Sequence, residues 1–185
     1  MTSHTWHVLA PAPQELALNL GLSSLWATLL YHRGIETKEA FSRFMRADET
    51  ALLDPETLPG MTDAVNRIKD ALFNNECVGI FGDFDTDGVT ATALLYQALT
   101  SWGLRVIPYI PHRTREGHGL NLTAIEQFRR QGVTLMVTVD CGVSSADEIE
   151  EAKNLGIDTI VTDHHLPPNE LPKGVPIVNP HVPMS

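Results

Sequence analysis

The strongest constraint on the fold is the alternation of short apolar segments with longer helical ones in the second half of the chain. Strands are predicted at 77–81, 106–110, 135–139, 159–162 and 177–178, and helices at 89–102, 122–131 and 145–155. Glycine follows each helix, which is typical of a helix end. Short strands that alternate with helices of this length predict an α/β fold, with a parallel sheet between two layers of helices.

The N-terminal third has a different pattern. Leucines in 16–30 recur near the helical period, and a second helical segment follows Gly34. Turn residues then precede a helix predicted at 61–74. We therefore divide the chain into a helical N-terminal segment, 1–60, and a sheet domain, 61–185.

Composition excludes several classes of protein. Apolar stretches fall far short of the roughly 20 residues that cross a membrane, and no basic segment precedes an apolar one at the N-terminus. We expect a cytoplasmic protein without a membrane partner. Two cysteines, Cys77 and Cys141, do not make a disulfide framework.

The net charge bears on possible partners. The chain has 13 Lys+Arg and 23 Asp+Glu, a formal net charge of −10. This balance disfavours a simple electrostatic nucleic-acid binder. The objection weakens if many of the carboxylates hold cations, because bound metal ions reverse the local field.

Acidic and histidine side chains directly follow three of the predicted strands. They are Asp83, Asp85 and Asp87 after the first strand, Asp140 after the third, and Asp163, His164 and His165 after the fourth. Ligands of open parallel sheets bind beyond the carboxyl ends of the strands. We therefore expect these side chains to lie together at one edge.

Carboxylates crowded in this way repel each other unless cations separate them. Carboxylate oxygens mixed with imidazole nitrogens suit Mn²⁺ or Mg²⁺, with Mn²⁺ our first choice, although zinc, cobalt or iron also fit. Two such ions would polarise a phosphoryl group and stabilise a leaving oxygen. An EF-hand is excluded, because Leu94 stands where its loop requires an acidic residue.

A basic, glycine-containing loop follows the second predicted strand. It contains Arg113, Arg115, Gly117 and Gly119. Arginine presents a fork of donors that matches phosphate oxygens, and glycine allows close backbone approach. The loop therefore favours a phosphate clamp, and the alternative is a solvated basic loop.

With these residues in place, the chain resembles the DHH phosphoesterase superfamily, and within it the single-stranded-DNA exonucleases. The matching motifs are GDFDTDGVT at 82–90, REGHGL at 115–120, VDCGVSS at 139–145, TDHHLP at 162–167, and Asn179-Pro180. The resemblance implies a parallel-sheet, three-layer DHH domain at 61–185 with a helical N-terminal appendage.

The resemblance also implies roles for the site residues. The residues that match the family's metal ligands are Asp85, Asp87, Asp140 and His164. Two further carboxylates of the catalytic site, Asp83 and Asp163, would shape the surroundings of these ligands. His165 would assist at the scissile phosphate, and Arg113 or Arg115 would hold phosphate. His118 stands where many relatives have tyrosine.

By the same resemblance, the expected function is 5′-to-3′ degradation of single-stranded DNA to mononucleotides in repair and recombination, with Mn²⁺ or Mg²⁺ and two ions. Members of the superfamily continue past the Asn-Pro segment to another metal-ligand aspartate and to DNA-binding domains. We therefore expect this chain to correspond to the N-terminal portion of such an enzyme.

Alternatives remain open. A DHH phosphodiesterase acting on small nucleotides or oligoribonucleotides fits the same motifs, and so does an inactive scaffold fragment. A haloacid-dehalogenase phosphatase with Asp85 as nucleophile leaves Asp140 and the DHH motif without a role. A dinucleotide-binding oxidoreductase is disfavoured because no Gly-x-Gly-x-x-Gly follows a strand.

Overall fold

The computed structural model describes residues 7–49 and 52–183. The chain forms two compact units that divide between Leu53 and Asp54. Residues 1–6 and 50–51 of the predicted N-terminal segment lie outside the described residues. The domain boundary after residue 60 stays a prediction, and a short 3₁₀ helix, Pro55–Thr57, lies in the second unit.

The first unit contains three short helices in its described part. They are α1 (Gln14–Leu20), α2 (Ser24–Tyr31) and α3 (Lys38–Arg46). The expectation of one continuous helical segment across 16–30 was wrong. Gly21 adopts a left-handed conformation with φ +66° and ends α1, and the Ser23 hydroxyl then caps α2.

The second unit alternates helices and strands as expected. Its elements are α4 (Met61–Phe73), β1 (Cys77–Gly82), α5 (Thr86–Ser101), β2 (Arg105–Tyr109), α6 (Leu122–Arg130), β3 (Leu135–Val139), α7 (Ala146–Asn154), β4 (Asp158–Thr162) and β5 (Ile177–Val178). All strand pairs are parallel, and the strand order is β2-β1-β3-β4-β5. The predicted α/β fold is confirmed.

Apolar side chains cover both faces of this sheet. On one face, Phe128 and Ile149 from α6 and α7 are buried against Phe81 and Met136 of the central strands. On the other face, the helices α4 and α5 pack over a second cluster that includes Leu99. Full burial of a side chain of this size contributes about 1.5–3 kcal/mol, so the two clusters hold the three layers together.

An ion-pair network closes the amino edge of the sheet, where the strands begin. The guanidinium of Arg67, on α4, donates two hydrogen bonds to the Glu76 carboxylate, at 2.9 and 3.1 Å, and one to Asp158 at 3.0 Å. These hydrogen bonds lower the pKa of Glu76, and the Thr134 hydroxyl adds a further one. Every charge of this network therefore has an opposite charge beside it.

In the described part of the chain, no helix is both long and apolar enough to span a bilayer.

Candidate metal centre

The carboxyl edge of the sheet brings together the residues that follow β1, β3 and β4. The chain order reverses between β1 and β3, which lie side by side in the sheet. Crevices at such a switch point are the usual ligand sites of open α/β sheets. Asp83 follows β1, Asp140 follows β3 and Asp163 follows β4, so all three begin at this edge.

Three carboxylates lie close together at the switch point. Asp83, Asp85 and Asp140 each offer an oxygen within 4.8 Å of those of the other two. Asp83 is buried, and its Oδ1 has no hydrogen-bond partner among the residues that the structure describes. A buried carboxylate oxygen without a donor is costly, and a bound cation would remove that cost. The donor set therefore fits a divalent metal ion.

Asp85 and Asp140 have pKa shifts of opposite direction. The Gly88 amide donates a 3.0 Å hydrogen bond to Asp85, which caps α5, and this bond lowers the pKa of Asp85. Burial and the nearby Asp85 carboxylate raise the pKa of Asp140. The two carboxylates thus resist simultaneous ionisation, and a bound cation would relieve that repulsion.

The backbone around these carboxylates is specially shaped. Asp140 has a left-handed conformation, with φ +61°, which aspartate and asparagine tolerate better than most residues. Gly88 lies in the first turn of α5, and a Cβ there would come within 2.3 Å of the Asp83 carbonyl oxygen. Glycine therefore allows α5 to start directly beside the strand end.

A second cluster shares Asp140 with the first. Asp140, His164 and His165 also offer ligand atoms within 4.8 Å of one another. His164 Nε2 lies 2.9 Å from Asp140 Oδ1, and the two imidazole rings are 4.6 Å apart. Asp140 therefore stands between two overlapping sets of possible metal ligands.

Asp163 organises the histidine loop. Its Oδ1 accepts hydrogen bonds from the backbone amides of His164 and His165 and lies 2.7 Å from His165 Nδ1, while its Oδ2 accepts one from the Val143 amide. Burial opposes ionisation of Asp163, but these donors outweigh it and lower its pKa. The hydrogen bond to Asp163 raises the pKa of His165. Asp163 thereby fixes the ring of His165 and leaves its Nε2 for other partners.

The loop after β2 reaches the same edge. His118 Nδ1 is 3.3 Å from Asp83 Oδ2, and the centre of its ring lies 4.3 Å from that of Phe84, with the two rings tilted by 48°. The Arg113 guanidinium lies 5.2 Å from the centre of the Phe84 ring. Arg113 and Arg115 are both exposed. The structure thus connects Arg113 to the carboxylate edge through Phe84.

The loop's own hydrogen bonds and glycines shape it. Glu116 accepts a hydrogen bond from the His112 amide and another from the Tyr109 hydroxyl, and burial with this contact raises the pKa of Tyr109 to about 12. Gly117 and Gly119 have φ +78° and +83°. Gly119 lines a cavity of about 290 Å³ together with Asp83, Asp140 and His165. Gly117 is not part of that lining.

Asp87 is placed differently from the other predicted ligands. The helix α5 starts at Thr86, so the expectation that it starts at residue 89 was wrong. Asp87 therefore lies in the first turn, with an exposed side chain, and belongs to neither carboxylate cluster of the described residues. Its backbone amide supports Asp85 and contributes to the low pKa of that residue.

Sequence reasoning gave no role to Asn179. Asn179 is fully buried directly after β5, donates a 3.0 Å hydrogen bond to the His165 carbonyl and accepts one from the His181 amide. It therefore ties the histidine loop to the end of the fifth strand. The rule of inspecting each strand end would have found it if applied to β5.

Cys141 directly follows Asp140, beyond the end of β3. It is buried, its Sγ lies 3.9 Å from the Phe81 carbonyl oxygen, and burial raises the pKa of its thiol. A buried thiol with a raised pKa is a poor nucleophile.

The fold and this edge of the sheet are those of an α/β protein with a candidate metal centre at the carboxyl ends of its strands, and comparison with known families agrees with this class. Residues 77–185 match the N-terminal domain of the DHH family, and the chain belongs to that family. The chain is also 38% identical over 181 residues to the single-stranded-DNA-specific exonuclease RecJ of Bacillus subtilis (strain 168), covering 96% of this chain and 23% of that protein.

Solved structures show the same likeness. The crystal structure of RecJ in complex with Mn²⁺ from Thermus thermophilus matches with a TM-score of 0.67 and 30% identity, covering 95% of this chain and 24% of that one. A crystal structure of exonuclease RecJ bound to manganese matches with a TM-score of 0.64 and 35% identity, covering 70% and 33%. The chain spans about a quarter of the length of the curated relatives it matches.

Proposed function

We propose that this chain carries the metal centre of a phosphodiesterase that degrades single-stranded DNA from the 5′ end and releases mononucleotides in repair and recombination. The observation that carries the proposal is the buried Oδ1 of Asp83, which has no hydrogen-bond partner among the described residues and lies beside the carboxylates of Asp85 and Asp140. Within the described part of the chain, no lysine or arginine forms an ion pair with these three carboxylates. Crowded carboxylates without such a partner are typical of a site for divalent cations.

The proposed metal ligands are Asp83, Asp85, Asp140 and His164. Asp87, which the family motif assigns as a ligand, would require a different side-chain position to join them. We propose that these side chains would hold two ions, Mn²⁺ or Mg²⁺, and that Asp140 would contribute to both sites. Such ions would supply positive charge to the phosphoryl oxygens and would lower the pKa of water at the site.

His165 and Asp163 would act as a pair on the scissile phosphate. Asp163 holds Nδ1 of His165 and raises the pKa of the ring, so the protonated form persists to higher pH. From Nε2, the imidazolium would donate a hydrogen bond to a phosphoryl oxygen or to the departing oxygen, where negative charge develops. Asp163 itself would remain an ionised positioning residue, because its oxygens already accept four hydrogen bonds.

Arg113 and Arg115 would bind the phosphate that approaches the carboxylates. Both side chains are exposed, and the guanidinium of Arg113 lies against Phe84, the residue directly after Asp83. Guanidinium groups match phosphate oxygens in two-point contacts. Single-stranded DNA is the proposed substrate because the relatives are named single-stranded-DNA-specific exonucleases and are similar over most of this chain.

The test combines metal binding with hydrolysis. The chain is titrated with Mn²⁺ by calorimetry and then incubated with single-stranded DNA, duplex DNA and an oligoribonucleotide. A 5′-labelled single strand should release its label at once as a mononucleotide, whereas a 3′-labelled strand should shorten progressively. Preference for the oligoribonucleotide would replace the DNA proposal with the small-nucleotide alternative.

Two aspartate variants make the test specific. Asp140→Asn should abolish both Mn²⁺ binding and hydrolysis. Asp70→Asn is the matched control, because Asp70 is an exposed aspartate on α4 outside both clusters. Mn²⁺ binding without hydrolysis of any substrate would contradict the proposed activity of this chain and support the scaffold alternative. Equal Mn²⁺ binding by both variants would contradict the assignment of the metal centre.

A further inference from the structure

The helix α3 of the first unit is amphipathic, and its apolar side is only partly buried. None of its nine residues is buried, although the Thr37 hydroxyl caps its start with a 3.1 Å hydrogen bond from the Ala40 amide. Phe44 is 54% exposed and Met45 is exposed beside it. A well-capped helix with large apolar side chains in solvent presents a surface for a partner.

A groove beside this helix is lined by arginine and phenylalanine together. It measures about 490 Å³ and runs between the end of α2 and one side of α3, with Arg33, Ile35, Arg43 and Phe44 in its lining. Its lining contains no acidic residue among those that the structure describes. The two guanidinium groups and the aromatic ring therefore face the same space.

Among the residues that the structure describes, the arginines of the groove have no carboxylate partner. Within 7–49 and 52–183, neither Arg33 nor Arg43 forms an ion pair, and Arg33 only donates a hydrogen bond to the Leu29 carbonyl. Elsewhere the pattern differs, since Arg67 pairs with Glu76 and Asp158. Two guanidinium groups that form no ion pair keep their hydrogen-bond donors available to an anion.

The distribution of charge along the chain singles out the first unit. Residues 1–53 contain four Lys+Arg and five Asp+Glu, a net charge of −1, whereas residues 54–185 contain nine and eighteen, a net charge of −9. All four cationic residues of the first unit lie within 33–46. The first unit therefore repels a polyanion far less than the second does, and its cations are concentrated where the groove is.

We propose that the groove lined by Arg33, Arg43 and Phe44 binds single-stranded DNA, as a second contact for the substrate of the proposed function. Each guanidinium contacts a backbone phosphate in a forked arrangement. The exposed ring of Phe44 stacks on a base, which is tolerant of sequence because every base has a flat face. This inference rests on the proposed function for the choice of ligand, but not for the existence of the groove.

The experiment measures binding without hydrolysis. Fluorescence anisotropy of labelled oligothymidylate is recorded with the whole chain in a chelator, at several salt concentrations. The double variant Arg33→Ala/Arg43→Ala should bind at least tenfold more weakly. Its slope of log affinity against log salt should fall by about 1.4, because each phosphate contact on a single strand contributes about 0.7. Phe44→Leu should weaken binding by about tenfold with an unchanged slope.

Matched controls separate the groove from general charge. Arg129→Ala/Arg130→Ala removes the same charge from α6, and Phe73→Leu alters an even more exposed phenylalanine on α4. Both controls should bind as the wild type does. Equal losses in groove and control variants, or no loss in the groove variants, would overturn the inference. Circular dichroism checks that each variant remains folded.

Two further results distinguish this inference from the proposed function. Asp140→Asn should keep the groove's contribution to binding. If the wild type binds DNA through the groove but does not hydrolyse it, only the proposed function is contradicted. Analytical ultracentrifugation tests whether a second copy of this chain occupies the groove instead of DNA. If the wild type is a dimer and Arg33→Ala/Arg43→Ala is a monomer, the groove is an interface between copies and the inference fails.

Discussion

The acidic residues at the two edges of the sheet differ in whether a cationic side chain pairs with them. At the amino edge, Arg67 lies between Glu76 and Asp158, so the charges are paired. At the carboxyl edge, Asp83, Asp85 and Asp140 converge, and one buried oxygen has no donor among the described residues. The paired charges of the amino edge stabilise the fold by themselves, whereas the crowded carboxylates of the carboxyl edge require a bound cation to relieve their repulsion. This difference supports the carboxyl edge as the candidate functional site.

The largest expected effect comes from removing charge at the carboxyl edge. Asp140→Asn preserves the left-handed backbone, because asparagine tolerates that conformation, but removes the charge shared by both clusters. Loss of a group that only supports a metal ligand typically lowers metal affinity by about 10–100-fold. Because Asp140 is a proposed ligand itself, Mn²⁺ affinity should fall by more than that. The metal-free protein should remain as stable as the wild type. Calorimetry and thermal unfolding measure the two effects, and a large loss of metal-free stability would erase the contrast between the edges.

Asn179 tests how the histidine loop is held at the same edge. Asn179→Ala leaves the His165 carbonyl and the His181 amide without their buried partner, at a cost of about 1–3 kcal/mol in the free energy of unfolding. Hydrolysis should fall beyond what the stability loss explains, because His165 is no longer fixed. Urea unfolding and rates measured well below the unfolding temperature check this prediction. Asn154→Ala, at an exposed position, is the control. Unchanged hydrolysis rates in Asn179→Ala would show that Asn179 does not position the histidine loop.

The amino edge should respond in stability and not in metal binding. Glu76→Gln weakens a two-point hydrogen-bonded pair of largely buried side chains, and we expect a loss of about 1.5–3 kcal/mol in the free energy of unfolding. Asp158→Asn acts on a 65% exposed side chain, so we expect less than about 1 kcal/mol. Chemical denaturation measures both. Changed Mn²⁺ affinity in either variant would show that the two edges are not independent.

The smallest effect is a pH dependence at the amino edge. Arg67 holds the pKa of Glu76 below its ordinary value of 4.5. A lowered pKa in the folded state stabilises the protein above the unfolded-state pKa, and this stabilisation is lost as the pH falls through the folded-state pKa. The stability difference between wild type and Glu76→Gln should therefore be constant near neutral pH and shrink in acid. A difference that grows in acid would contradict this sign.

Much of the second unit was predictable, because its periodicity is local. The strands at Leu135–Val139 and Ile177–Val178 match their predicted bounds, and the other three differ by one residue at one or both ends. The helices α4 and α6 start at their predicted residues, and α7 starts one residue later than predicted. The start of α5 was predicted three residues late, because the Asp85 side chain caps the helix and allows it to begin at Thr86.

The candidate site was predictable in its membership but not in its internal roles. Asp83, Asp85, Asp140, His164 and His165 meet as the strand-end rule predicts. The same rule did not reveal that the oxygens of Asp163 accept hydrogen bonds from backbone amides, because one of those amides comes from a loop distant in sequence. Side-chain roles depend on contacts between segments, and a single sequence does not specify them.

The sequence by itself determined the alternating pattern, the residues at the strand ends and the acidic excess that must be neutralised, since all three follow from local order along the chain. Only the tertiary structure decided the strand order and the hydrogen bonds of Asn179. It also decided that, among the described residues, the Asp83 oxygen has no partner and Asp87 lies outside both clusters. These features arise when distant segments pack against one another. Burial and hydrogen-bond partners exist only in the assembled fold.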